Sequence, residues 1–425
     1  MKIISLLTLS LNVYAANWLT LQGTEAKAGH HPWGFFQIRA QNNEGEILIK
    51  NGVNKTPFSY VKPDLEKQKS IQLSRARVGL RGSLTQDNNV NYFLLSEFGK
   101  NGITQPLGHH QNNFLTDASL TFKYLPIYVR VGKFKYAGSE EGFMARFASP
   151  FINFTTLSDQ LTLERFLDAK PSAAAANNVY VAEPLSGVGA YRDSGIQLFQ
   201  TYPVGEGSSL SLSYMLGNGS GIENKNVNND NYTHYGYAAF EESLGGGKGY
   251  KKEAYKLYGW YQKGKRLLYD NAVAKLYDRT RYGVGGTYFH KGLRLESEYV
   301  KGSGMIFTGA KDVNAQHDQE TWNYETRASE ENKAYGYYLA STYSLAKEFE
   351  VLARYDEYDR MTNSNAQYRK FQTSTLGFSY IFKKYDRIDV NYAINSVKAP
   401  GNEAANDLLK SVGNLLSLQY TMVFN

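Results

Sequence analysis

The chain has 425 residues, no cysteine, 34 tyrosines, 22 phenylalanines and a formal net charge of +7. The lack of cysteine excludes a disulfide framework, a thiolate metal site and a thiol nucleophile. Basic residues are scattered along the chain and not gathered in a tail, which argues against nucleic acid as a partner. Membrane-spanning helices need about 18 to 20 consecutive apolar residues, and the chain beyond residue 15 has no such run.

Residues 1–15 read as a secretory signal. Lys2 is a minimal positive region, Ile3 to Val13 is a short apolar stretch, and Val13-Tyr14-Ala15 is a small-x-small cleavage site. Residues 16–425 then form a single domain of period-two segments. The first is 33–40. In 70–83, Ala76, Val78 and Leu80 share one face, and Arg75, Arg77 and Arg81 share the other with Gly79. Next come 89–98, 113–125 and 126–134. Lys123 lies opposite Leu120, Phe122 and Tyr124, and Arg130 lies opposite Val129 and Val131. After 192–203, 207–218 and 231–241, the segment 253–263 sets Tyr258 and Trp260 against Tyr255, Leu257 and Tyr261. This inner aromatic pair is the one place where a carbohydrate reading survives. Then follow 279–291, 292–301 with Arg294 opposite Leu293 and Leu295, 333–345, and 348–359 with Arg354 opposite Ala353 and Tyr355. The segments 371–383, 386–396 and 413–425 complete a set of sixteen.

The connections alternate in length. Short ones fall at 85–88, 125–126, 204–206, 291–292, 346–347 and 384–385, with 242–252 longer. Long ones fall at 41–69, 99–112, 135–191, 219–230, 264–278, 302–332, 360–370 and 397–412. Short turns at one rim and long loops at the other are the asymmetry of an outer-membrane barrel. The fold class is therefore all-β: a sixteen-stranded antiparallel transmembrane β-barrel. Closing the sheet removes edges that lipid cannot satisfy, so the last strand pairs with the first. Phe424 resembles the terminal aromatic that marks such barrels for insertion, here followed by Asn425. The location is the bacterial outer membrane.

By parity, 135–191 is the third extracellular loop. Its Phe143, Phe147, Phe151, Phe154 and Phe166 have little use in a solvated loop. A long loop with apolar content of its own usually has a job, and folding into the lumen would narrow a channel of this size. Glu140, Glu141, Arg146, Glu164 and Arg165 either form that constriction or hold the loop to the wall. The stretches RARVGLRGSL (75–84), DASLTFKYLPIYVRVGKFK (117–135), the Glu140–Glu141 pair, LTLERFL (161–167) and DSGIQLFQ (193–200) resemble the porin O and P family. The likeness covers 70–200. It implies a trimeric outer-membrane channel with an inward third loop, some members being selective for phosphate.

A channel does no bond chemistry; it works by radius and charge. Arg75, Arg77, Arg81, Lys123, Arg130, Arg294 and Arg354 are the inward cations that could line an anion path. Glu97, Asp117, Glu296, Glu298, Glu350 and Asp356 face the same way and could neutralise them. Both readings stay open. His30–His31 and His109–His110 fit surface loops or turns better than a metal site, since neighbours on a strand point to opposite faces. No HExxH, GxSxG or Walker A pattern is present, so neither an enzyme nor a cofactor is indicated. The expected function is passive diffusion of small anionic or neutral hydrophilic solutes, with a preference for anions such as phosphate. The alternative is a closed or weakly selective surface barrel whose extracellular loops bind ligands. The sequence names neither the solute nor the position of the long loop.

Overall fold

The computed structural model describes residues 17–424 except 21, 24–27, 51–52, 56–57, 59–60, 63–64, 66, 102–113, 165–190, 220, 223–230, 248, 271–272, 308–325, 328–331 and 384–385. Sixteen antiparallel strands close into one barrel. They are β1 Gly29–Asn43, β2 Lys69–Ser83, β3 Val90–Glu97, β4 Phe114–Phe122, β5 Tyr128–Lys135, β6 Arg192–Pro203, β7 Ser208–Gly217 and β8 Thr233–Ser243. The second half is β9 Ala254–Asp270, β10 Val273–His290, β11 Leu293–Ser303, β12 Lys333–Ala346, β13 Phe349–Arg360, β14 Arg369–Ile381, β15 Arg387–Lys398 and β16 Leu415–Phe424. Each pairs with its sequence neighbours. β16 returns to β1, from Gly34 opposite Phe424 to Asn43 opposite Leu415. All sixteen segments of the sequence reading overlap one of these strands.

The two faces are inverted relative to a soluble protein. In β16, Leu416, Leu418, Tyr420 and Met422 are exposed, while Leu415, Ser417, Gln419 and Thr421 are buried. Leu257 is 61% exposed and Leu339 58%, but Arg130 and Gln197 are 0%. Only lipid favours large apolar side chains on the outside of a sheet whose inside is polar. A closed sheet is one of the two ways a backbone crosses lipid with every polar group paired. The barrel is thus a protein of the bacterial outer membrane. Aromatic rings cluster outside near both rims: Phe349 with Phe378 and Tyr380 with Phe382 toward the short turns, Tyr299 with Tyr335 and Tyr337 with Tyr355 toward the long loops. These are the two interfacial girdles.

One irregularity sets the parity of β2. The β1–β2 register shifts between Gln37 and Ile38, so that Arg75 faces Gln37 and Leu73 faces Ile38. Ser74 is the extra residue of a bulge, and its hydroxyl donates to the Gln37 carbonyl at 3.0 Å. Ile71 and Leu73 point outward before the bulge, Val78 and Leu80 after it. Without the bulge, the parity of Ile71 and Leu73 would carry Arg75, Arg77 and Arg81 into lipid.

The structure corrects two loops. The connection expected at 264–278 is a continuation of the sheet, paired as far as Asp270 opposite Val273. No glycine or proline interrupts 265–278, and a ladder needs only backbone. The connection 397–412 holds a helix, α2 at Glu403–Leu409, whose Asn402 side chain accepts from the Ala405 N–H at 3.0 Å. Ala405, Leu408 and Leu409 are its buried face.

Deleting Ser74 should be far more damaging than Ser74→Ala. Each arginine forced onto the lipid face near the midplane costs about 2–4 kcal/mol. Refolding into vesicles, scored by protease protection, should therefore fail or fall sharply for the deletion and stay near wild type for the alanine variant.

Candidate functional site

The lumen is lined by the inward members of each strand. Their order of polarity is not uniform. The wall from β8 to β14 carries Tyr237, Tyr258, Trp260, Val300, Tyr338, Tyr358 and Phe371, all buried in one apolar cluster. Trp260 and Tyr258 lie flat on β10, where only glycine leaves room: a Cβ on Gly283 would stand 2.7 Å from the Trp260 indole nitrogen, and one on Gly285 would meet the Tyr258 hydroxyl. Trp18, Phe143, Met144, Phe151, Leu157 and Leu161 pack onto this wall from within the barrel. Tyr258 and Trp260 are therefore covered, which removes the surface a sugar would slide along.

The described part of the third loop, 136–164, crosses the lumen. Lys135 holds its start, donating to the carbonyls of Gly142 at 2.8 Å and Met144 at 2.9 Å. A single helical turn, α1 at Glu140–Phe143, follows. Ser139 then donates to Glu298 of β11 at 2.9 Å. The Ile152 N–H donates to Asn391 of β15 at 2.8 Å, and Arg39 of β1 donates to the Ile152 carbonyl at 3.2 Å. Contacts to strands on opposite sides of the barrel require the segment to lie inside it.

Three of the four acids in this stretch are matched to wall cations, and the fourth, Asp159, pairs with Lys62 at 3.8 Å. Glu140 takes Lys256 of β9 at 2.6 Å. Glu141 takes Arg354 of β13 at 3.0 Å and the Thr155 hydroxyl at 2.6 Å. Glu164 pairs with Arg279 and, at 3.6 Å, with Arg281, both of β10. Arg146 is different. One Nη donates to the Phe151 carbonyl at 2.6 Å, while its Nε and other Nη are buried without an acceptor. Its guanidinium stands over Phe154 at 4.1 Å. Burial holds its pKa down at about 10, which Glu141 opposes and the positive charges of Arg354 and Arg39 reinforce. It stays protonated at neutral pH.

The wall cations fall into two groups. Arg77 pairs with Glu97 at 2.7 Å, Arg294 with Glu296 at 3.5 Å, and Arg354 with Asp356 at 3.7 Å besides Glu141. Arg75 donates to the neutral Gln37 at 2.9 Å, and among the described residues neither Arg75 nor Arg146 makes an ion pair. Arg39, Arg77 and Arg146 are the positive charges that act on Arg75. Arg81 stands over Trp33 at 5.3 Å, and Arg130 over Phe199 at 4.5 Å with a bond to the Leu19 carbonyl. Lys123 departs from the sequence reading. β4 ends at Phe122, and Lys123 sits in the turn that leads to Pro126. His30 and His31 lie at the start of β1 and not in a loop; His30 contacts the Tyr92 hydroxyl at 2.6 Å. Arg165 and His109–His110 lie outside the described residues.

Sequence reasoning missed two features of the lumen. Arg39, Arg192, Arg279, Arg281, Arg360 and Arg387 are also inward and buried. Period-two parity would have found Arg39, between Ile38 and Ala40. The segment around Trp18 also enters the barrel. Asn17 donates to Thr201 at 2.7 Å, Trp18 to Glu140 at 2.9 Å and Gln22 to the Lys135 carbonyl at 3.2 Å.

No family model and no curated protein matches the chain. Solved structures do. OmpT of Vibrio cholerae aligns over 93% of this chain and 97% of its own at 11% identity and a TM-score of 0.51. An anion-selective porin from Comamonas acidovorans aligns over 93% and 99% at 14% identity, TM-score 0.50. Salmonella typhi OmpF, solved with daunomycin, aligns over 93% and 97% at 13% identity, TM-score 0.51. The fold is that of outer-membrane porins. At these identities the likeness is one of architecture, and residue roles in this porin fold rest on its own geometry.

Glu141→Gln removes the charge that meets Arg354 and weakens the tie from Thr155. Arg354 then keeps the more distant carboxylate of Asp356 at 3.7 Å. Losing the closer charged hydrogen bond should cost about 2 kcal/mol, visible as a lower midpoint of denaturant unfolding, and single-channel recording should show larger, noisier current steps.

Proposed function

We propose that this chain is a passive channel of the outer membrane for small hydrophilic solutes, with a preference for anions. The supporting observation is the pair Arg75 and Arg146, one on the wall and one on the loop, both buried and both bonded to neutral groups only. Fixed guanidiniums without carboxylates leave a positive potential in a low-dielectric passage, which concentrates anions. Glu140, Glu141 and Glu164 are each engaged at closer range by a wall cation. The porin O and P resemblance points to phosphate and related oxyanions as solutes and to a homotrimer as the assembly. Residues 1–15 would serve as the export signal.

A second reading is a closed or weakly selective barrel whose loops bind ligands. It draws support from the neutralised pairs Arg77–Glu97 and Arg354–Glu141 and from the loop and the Trp18 segment inside the barrel. Planar-bilayer recording separates the two. The channel reading expects discrete current steps and a reversal potential under a KCl gradient that reports anion preference. The variant Arg75→Gln/Arg146→Gln should lose about half of that preference, and high salt should erode the rest, since fields in water are screened within ~10 Å at 0.1 M. Absence of steps favours the closed barrel. Steps with cation preference, or selectivity indifferent to both arginines, would overturn the anion path.

A further inference from the structure

A cavity of about 270 Å³ opens off the lumen beside β1, β2 and β3. Its walls are largely aromatic. Trp33 and Phe93 have ring centroids 5.3 Å apart, Phe35 lies under the Arg77 guanidinium at 5.5 Å, and Trp18 closes one side from the segment upstream of β1. Arg77, Arg81, Lys135 and Arg192 also line it, with the one carboxylate, Asp117, paired to Arg192 at 3.0 Å.

The donors of this cavity are not used up. Arg77 is 4% exposed and gives its Nε to Glu97 at 2.7 Å. Neither of its Nη groups donates a hydrogen bond among the described residues. The Trp33 ring lines the same cavity, while its indole nitrogen is covered where the ring packs on Gly79 of β2. An arginine fork left without acceptors beside a cavity calls for a partner.

We infer that this cavity binds a small organic anion with a flat apolar body, such as an aromatic carboxylate. The two Nη groups of Arg77 form the fork that accepts a carboxylate in bidentate fashion. Glu97 holds that fork in place through Nε. Trp33, Phe35 and Phe93 offer ring faces to the body of the ligand. A hydrated inorganic phosphate would leave those rings unused. The site deepens the channel reading, since it rests on solutes reaching the lumen, and it names a solute class for it.

The test uses the full-length purified barrel with sodium benzoate as probe and acetate and inorganic phosphate as controls. Tryptophan fluorescence follows binding, and single-channel current follows block. Benzoate should quench saturably and interrupt the current at concentrations where acetate and phosphate do neither. Arg77→Lys keeps the pair with Glu97 but loses the fork, and should weaken benzoate about tenfold, which is 1.4 kcal/mol. Phe93→Ala and Trp18→Ala should each weaken it by opening the aromatic wall. Benzoate no tighter than acetate, phosphate tighter than benzoate, or affinity unchanged in both Arg77→Lys and Trp18→Ala would overturn the site. A barrel that binds benzoate in this pattern without current steps would overturn the channel reading and leave the site standing. A barrel that conducts anions and treats benzoate as acetate would do the reverse.

Discussion

Every backbone N–H and C=O at membrane depth must find its partner within the chain, because lipid offers none. The pairing of β1 with β16 meets that demand for the last two edges, and the rest follows from it. A closed sheet has one face for lipid and one for the lumen, so each strand must alternate. The side chains that a soluble protein would bury are sent outward, and the polar ones are left to fill the inside. Ser74 shows how strictly this holds: where the outward parity of β2 and the inward arginines conflict, a bulge reconciles them.

A polar lumen raises the opposite problem, which is how to seat a loop inside it. The third loop meets it with two chemistries. Its apolar side chains, Phe143, Phe151, Leu157 and Leu161, pack on the aromatic wall of β8–β14. Three of its acids, Glu140, Glu141 and Glu164, are each set against a buried wall cation. Losing either partner of such a pair costs more than forming the pair gains, so the loop is fixed in register as well as in place. The docking consumes Lys256, Arg354 and Arg279. It leaves the charge of Arg146 delivered to the side of the lumen where Arg39 and Arg75 stand.

The same arrangement explains why charge counting alone could not separate a selective lumen from a neutral one. Both descriptions are locally true. Arg77, Arg294 and Arg354 sit within ion-pair distance of carboxylates on the same or neighbouring strands. Arg75 and Arg146 do not. Selectivity in a pore is set where the path is narrow and dry, so the few cations beside the loop weigh more than the total.

The strands and their faces were legible because period two is a local property. Leu416, Leu418, Tyr420 and Met422 declare an outward face within eight residues, and Arg75, Arg77 and Arg81 declare an inward one. Strand ends were less legible. β9 and β10 stay paired as far as Asp270 opposite Val273, and β4 stops before Lys123. The contacts that make the site are of another kind. Trp18 meets Glu140, Glu141 meets Arg354, and Arg39 meets Ile152 across separations of more than a hundred residues. Alternation says that a side chain faces inward, but not what it faces. The barrel and its orientation in lipid were therefore determined by the sequence itself. Which charges are cancelled, which stay bare, and what lies within the lumen were decided only when the closed sheet brought distant strands together.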